Sequence, residues 1–334
     1  MTTLSPQRSL WPILDEIPLL GRGKVRDSYP LGERHLLPVV TDGISIYDFV
    51  LNALIPGKGY VLTALSHFWF LELERLRLPT HMVAIGPQID EYLPPRLQGD
   101  KDRWRRAMVV HRLDMLKDAE TGRVIEWILR FCLTGGALKE YRARGTVAGI
   151  SLKPGLQDGD ELPFPILDPT TKEPSGHDRP LDAQSIRRQH PEAAAMFERG
   201  ITAIANHLRS LGIRAADFKG EMGRDSAGVI RFADEIGTPD CSRFWLESEW
   251  ARSRLLATRS APSAYDKELV RTWGKTQGFD ALDPDDPAHV AKVHAVEVPP
   301  EVIVETRRRY LAIADRILGM PLEEYWWLHM GIPS

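Results

Sequence analysis

Residues 215–245, reading AADFKGEMGRDSAGVIRFADEIGTPDCSRFW, constrain the chain more than any other stretch. They read as two short strands joined through Gly223–Gly228, followed by a Gly-Thr-Pro-Asp turn that presents Ser242 and Arg243. Alternate side chains of a strand share a face, so Asp217, Lys219 and Glu221 project together from the first strand. A turn centred near Asp225–Ser226 places Asp217 opposite Asp234 and Glu221 opposite Ile230. Several carboxylates and one lysine then share a surface. Magnesium takes hard oxygen ligands, commonly one or two carboxylates with water and phosphate completing its shell, so such a surface suits a metal–nucleotide complex. A charged hairpin is also what the wet face of an antiparallel sheet looks like. A one-residue slip turns the carboxylates to the other side. By itself the stretch leaves both readings open.

The segments before it are of a matching kind. Gly21-Arg-Gly-Lys24-Val-Arg26 is a short glycine loop running into a strand, with a turn at residues 31–34 and a second strand over 35–41. Backbone N–H groups of such a lip, at Gly23 for example, can face phosphate, and Lys24 and Arg26 add charge at strand spacing. The GxxxxGK[ST] spacing is absent, and a plain hairpin turn has the same composition. Thr41-Asp-Gly-Ile-Ser-Ile-Tyr-Asp48 reads as a polar loop. Beyond it, Leu62, Leu65, Phe68, Trp69 and Leu73 recur at helical spacing and read as core.

Strands are expected at residues 107–113 and 124–133. Arg130 falls inside the second, where an unpaired guanidinium is costly, so a carboxylate or an anionic ligand must meet it. Gly135-Gly136 is a turn feeding a short helix. Residues 158–182, dense in Pro, Asp and Gly, read as a long loop containing His177 and Asp178, of a length that is either functional or disordered. Residues 191–211 form a helix that starts on Pro191 and stops at Gly212. Further helices are expected at 265–273 and 300–318, with a loop at 276–298. The aromatic tail at Tyr325–Trp327 suits either packing within one chain or a homo-oligomer contact.

A length of 334 residues favours two closely packed domains, here 1–115 and 116–334. The 43 Lys+Arg and 46 Asp+Glu nearly balance, which argues against a surface that tracks nucleic acid. The one basic knot, Lys101–Arg106, contains an acid and reads as a solvated loop. Cys132 and Cys241 have neither CxxC nor Cys/His spacing, so no zinc site or disulfide framework is indicated. No stretch approaches the ~20 apolar residues of a membrane span, and a cytoplasmic protein with small-molecule partners is the expectation.

Taken in order, Gly23-Lys-Val-Arg-Asp27, Thr41–Asp48, Glu126-x-x-x-Arg130, Lys139-Glu-Tyr141, Gly145-Thr-Val-Ala-Gly149, Asp217-Phe-Lys-Gly-Glu-Met-Gly223, Asp234-Glu-Ile-Gly-Thr-Pro-Asp240 with Ser242-Arg-Phe-Trp245, and Tyr265-Asp-Lys267 resemble the SAICAR synthetase family of purine synthesis. The resemblance covers roughly residues 20–318. It implies an α+β fold: an N-terminal antiparallel-sheet domain related to kinase and ATP-grasp folds, then a larger mixed α/β domain with C-terminal helices. It implies an ATP- and Mg²⁺-dependent ligase joining carboxyaminoimidazole ribotide to L-aspartate through an acyl phosphate. By the same resemblance Gly23, Lys24, Arg26, Arg112 and Glu126 fall on the ATP side. Glu221 and Asp234 match metal ligands, and Lys219 acts with them in catalysis. Asp42, Ser45, Arg130, Gly135, Gly136, His177, Asp178, Ser242 and Arg243 match the substrate side.

The chain departs from the family pattern at four places. Gly136 stands where a phosphate-binding serine is common, Gly43 where many members have arginine, Gly220 where a bulky apolar residue is usual, and Cys241 where Ser or Gly is found. Gly136 and Gly43 motivate an alternative, a paralogue that keeps the ATP and Mg²⁺ half but acts on a different heterocyclic acid, for example in purine-like natural-product synthesis. A catalytically dead nucleotide-binding protein is a third reading, against which Lys24, Lys219, Glu221 and Asp234 all speak.

Overall fold

The strand Ile213–Arg224 runs through the middle of the larger sheet. The computed structural model describes residues 17–173, 178–256 and 259–333. One edge of this strand carries Ile125–Cys132 and Asp114–Met115; the other carries Ser242–Leu246 and Ile230–Ala233. Glu161–Leu167 and Thr170–Thr171 extend the sheet beyond Ile125–Cys132. A second, five-stranded sheet holds Gly21–Arg22, Arg26–Leu31, His35–Val40, Met108–His111 and Met82–Ile85 in that order. Every pairing between these strands is antiparallel. The main chain links the two sheets directly: Phe232 N donates to Pro79 O and His81 N to Phe232 O, each at 2.9 Å.

The register of the Asp217 hairpin differs from the sequence expectation. Glu221 lies opposite Ala233, not Ile230, and Asp217 pairs with Arg243 and Arg130, not Asp234. The cause is the turn. Asp225 Oδ1 accepts from Ala227 N and Val229 N, both at 2.9 Å, and closes a loop over residues 225–229. The second strand therefore ends at Ala233, and Asp217 is left to the neighbouring strands.

The helix Pro191–Ser210 buries Ala194, Phe197, Ile201, Ile204 and Leu208 and delivers the chain into the central strand. The helix Lys58–Arg75 buries Leu62, Leu65, Trp69 and Leu73, as their spacing predicts. The C-terminal helix Pro300–Leu318 packs along it and stops at Gly319. The largest buried cluster runs across residue 115, joining Leu62, Trp69 and Val110 to Trp127, Phe197, Phe232 and Tyr310.

Four other expectations are corrected. Lys101–Arg106 is a short helix, because the Asp100 carboxylate caps it at Asp102 N (2.9 Å) and Arg106 is buried against Asp42 and Asp102. The loop at 158–182 contains the strands Glu161–Leu167 and Thr170–Thr171, and Pro163 and Pro165 of the first leave ladder bonds unused where its register shifts. The stretch 276–298 contains the helix Pro287–His294, capped by Asp286. Gly43–Ile46 and Phe49–Leu54 form a hairpin that buries Ile44, Ile46 and Phe49 against Val270, Phe279 and Val293 from the C-terminal region. In the aromatic tail Tyr325 and Trp326 are buried and Trp327 is exposed.

Candidate active site between the two sheets

Where the sheets meet, an apolar cavity of about 210 Å³ lies between Leu36, Val40, Phe70, Met108 and Val110. At Arg26, Glu221 and Asp234 it adjoins a polar cleft of about 1920 Å³, which these three residues also line. An apolar slot leading to a charged floor matches the two halves of a nucleotide, base first and phosphates after. Asp234 sits immediately after the Ile230–Ala233 strand with φ 59°, a left-handed conformation that turns the chain out of the sheet.

The charged side chains on this floor are paired across elements. Arg26 bridges to Asp234 and reaches Glu235 at 3.6 Å. Lys219 pairs with Glu126, Lys172 with Glu221, and Lys24 with Asp48 at 2.5 Å. Burial works against the Lys219 ammonium, but Glu126, Asp178 and Glu221 around it hold its pKa above the ordinary value, so it stays cationic. Asp178 is shifted up, by burial first and then by Glu126. Among the described residues no three His, Cys, Asp or Glu groups form a metal cage. Glu221 and Asp234, a pair of carboxylates beside the cleft, fit a Mg²⁺ that takes its other ligands from phosphate and water.

A second cluster of charged side chains lies at the start of the helix Gly135–Arg144. Gly135 has φ +56°, and a Cβ there would stand 3.0 Å from Arg243 Nη1, so the close approach of this guanidinium requires glycine. Arg130 lies behind Gly136. Asp217 Oδ2 joins the two arginines, at 3.2 Å from Arg130 and 3.6 Å from Arg243, while Asp168 holds Arg130 Nε at 2.5 Å. Burial alone would lower the Arg243 pKa, but Asp217 and Asp266 raise it. Fixed guanidinium groups and free helix N–H groups suit a phosphate.

A third group closes the cleft floor. Lys58, fully buried, donates to Gly43 O at 2.9 Å and pairs with Asp240 at 2.7 Å, and Tyr310 donates to the same carboxylate at 2.6 Å. Burial raises the Asp240 pKa, but Lys58 and Lys267 outweigh it, so the carboxylate is ionised.

Gly23, Lys24, Arg26, Ser45, Glu126, Gly135, Gly136, Asp178, Lys219, Glu221, Asp234 and Arg243 all line the cleft. Four expected site residues are not brought to its wall. Asp42 instead accepts from Gly57 N and Gly59 N at the start of the Lys58–Arg75 helix and pairs with Arg106 at 3.2 Å. Arg112 is exposed, although His111 and Leu113 beside it line the apolar cavity. Ser242 is buried beside Cys241, and Arg130 acts from behind Gly136. His177 lies outside the described residues. Sequence reasoning missed Lys172, Asp240 and Lys58. Asp240 and Lys58 each carry a weak signal, as the charge ending the Gly-Thr-Pro-Asp turn and the lysine between Gly57 and Gly59.

The family model described as SAICAR synthetase matches residues 19–282. The chain belongs to the SAICAR synthetase family. The phosphoribosylaminoimidazole-succinocarboxamide synthase of Bordetella petrii is 36% identical over 312 residues, 92% of this chain and 97% of its own. That of Mycobacterium sp. (strain JLS) is 36% identical over 323 residues, 94% of this chain and 98% of its own. Among solved structures, the SAICAR synthase of Saccharomyces cerevisiae complexed with SAICAR superposes with a TM-score of 0.75 at 30% identity, covering 93% of this chain and 97% of that one. The chain is thus an ATP-dependent ligase that joins aspartate to carboxyaminoimidazole ribotide, and near-full-length similarity to SAICAR synthetases does not favour the altered-substrate reading.

Proposed function

We propose that this SAICAR synthetase binds Mg-ATP with its base in the apolar cavity and its phosphates on Lys24 and Arg26, the metal resting on Glu221 and Asp234. The observation that carries this reading is the sharing of Arg26, Glu221 and Asp234 by cavity and cleft. On this reading residues 1–115, a sheet of kinase or ATP-grasp type, cover ATP held against residues 116–334, and the enzyme works in the cytoplasm.

The ribotide phosphate rests on the N–H groups of Gly135 and Gly136 and on Arg243, which Asp217 orients together with Arg130. That anchoring points the imidazole carboxylate toward the γ-phosphate. Lys219, kept cationic by Glu126, stabilises the negative charge that spreads over the transferring phosphoryl oxygens. A bound Mg²⁺ supplies charge neutralisation and orientation of the phosphates. The carboxylate oxygen forms the bond to phosphorus as ADP leaves, and the aspartate amine then attacks the acyl carbon.

The test is to supply carboxyaminoimidazole ribotide, L-aspartate and Mg-ATP to the purified protein. ADP and the succinocarboxamide should form in equal amounts and only with a divalent cation. Nucleotide binding without product would sink the substrate assignment.

A further inference from the structure

Lys267 lines the cleft beside Asp240 and Arg243, and the ligation as described leaves it without a task. It occupies the N-cap position of the helix Glu268–Thr276, where the helix dipole disfavours a cation. Charged groups of four elements act on it: Lys58 of the first long helix, Lys219 of the central strand, Arg271 of its own helix, and Asp240 of the turn before Ser242. Asp240 is the one anion among them, and its carboxylate is already taken by Lys58 at 2.7 Å and Tyr310 at 2.6 Å. Among the described residues the Lys267 ammonium makes no hydrogen bond or ion pair of its own. Asp240 supports the proton of this lysine, but burial and the three cations together outweigh it.

We infer that Lys267 is the base that takes the proton from the incoming aspartate ammonium. The inference rests on the acyl-phosphate reading above. Aspartate enters as an ammonium ion, which has no lone pair to attack with, so one proton must leave before the C–N bond forms. Neutral Lys267 Nζ accepts it. The amine lone pair then forms the C–N bond at the acyl carbon, the C–O bond to phosphate breaks, and its electron pair departs with the phosphate. The second N–H proton follows to the leaving phosphate, and Lys267 returns its proton to water. Burial, with Arg271, Lys219 and Lys58 adding to it, lowers the Lys267 pKa to about 8, suited to a base near neutral pH.

The experiment compares wild type, Lys267→Met and Lys267→Arg with two nucleophiles, aspartate and hydroxylamine, the latter uncharged at neutral pH. With aspartate, K267M should lose about 10²–10⁴-fold in kcat, the usual share of a general base. K267R should be as slow, because its guanidinium keeps its proton. With hydroxylamine, all three should form the hydroxamate and ADP at the same rate, which also reports that the variants fold. The wild-type kcat for aspartate should rise with pH to a break near about 8, absent in K267M. Activity restored by K267R, a rise in aspartate KM at unchanged kcat, or a parallel loss with hydroxylamine would overturn the inference alone. No hydroxamate from the wild type would overturn the acyl-phosphate reading and this inference with it.

Discussion

Arg26 of the N-terminal sheet and Asp234 of the central sheet form an ion pair where cavity and cleft meet. The proposed phosphate ligand and the proposed metal ligand thus neutralise one another. A metal that claims Asp234 releases Arg26 for phosphate, so the two binding events favour each other. Asp234→Asn should cut turnover by about 10²–10³-fold, as losing a preorganised charge does. It should also narrow the gap in thermal protection between ATP with and without Mg²⁺, because Arg26 is no longer held. Thermal shifts at matched nucleotide concentration check this; an unchanged gap would separate Asp234 from the metal.

Two of the three glycine departures, Gly136 and Gly220, make opposite predictions. A Cβ at Gly136 meets only Arg130 Nη2, at 3.8 Å, which is ordinary contact, so Gly136→Ser should fold normally. Its hydroxyl would add a hydrogen bond to phosphate worth about 1.5–3 kcal/mol, read as a lower ribotide KM. A Cβ at Gly220 would stand 2.5 Å from Ile236 Cδ1 and 3.2 Å from Phe197 Cε2. Gly220→Leu should therefore destabilise by about 1–3 kcal/mol through overpacking, measured by urea unfolding. Ile236 and Phe197 already fill the space beside Gly220.

What the sequence shows depends on how local its cause is. The shared face of Lys219 and Glu221 follows from strand period alone, whatever the register. The partners of Asp217 do not, because the Asp225–Val229 turn sets them and a turn of different length was equally compatible with the glycines. The helices starting at Pro191 and Pro300 carry their own start and stop signals. The Lys101–Arg106 helix leans on Asp42, sixty-odd positions away, and reads as a loop for that reason. Lys267 is a motif residue in sequence, and only the assembly of Lys58, Lys219 and Arg271 gives it a chemical character.

Mild acid should weaken the fold through two buried histidines. Burial lowers His81 from 6.5 to about 3, with Arg26, His111 and Arg231 adding to it, and lowers His67 to about 4. Both are neutral when folded and protonated when unfolded below 6.5, so the unfolded state binds more protons and stability falls with pH from 6.5 downward. At about pH 5 each costs about 2 kcal/mol. Asp266 opposes them by about 1 kcal/mol, because burial raises its folded pKa to about 6 and the folded state takes up a proton there. Unfolding free energies at about pH 7 and about pH 5 should differ accordingly. His81→Asn should flatten that slope; an unchanged slope would mean His81 is protonated in the fold.

Asp240 links three distant parts of the chain: Lys58 at the start of the first long helix, Tyr310 in the C-terminal helix, and the turn it occupies before Ser242. Asp240→Asn leaves the Lys58 ammonium, whose side chain has no exposure, without its counter-charge, and should cost about 3–5 kcal/mol. Lys58→Met alone should be costly for the converse reason, while Lys58→Met with Asp240→Asn removes both charges and should cost much less than the sum. The double-mutant cycle by chemical unfolding measures that difference, and additive effects would mean the pair is not coupled. Asp240 also raises the pKa of Lys267. In Asp240→Asn the pH break for aspartate ligation should therefore move below about 8. A break that stays in place would show that Asp240 holds the fold together and leaves the basicity of Lys267 to its cationic neighbours.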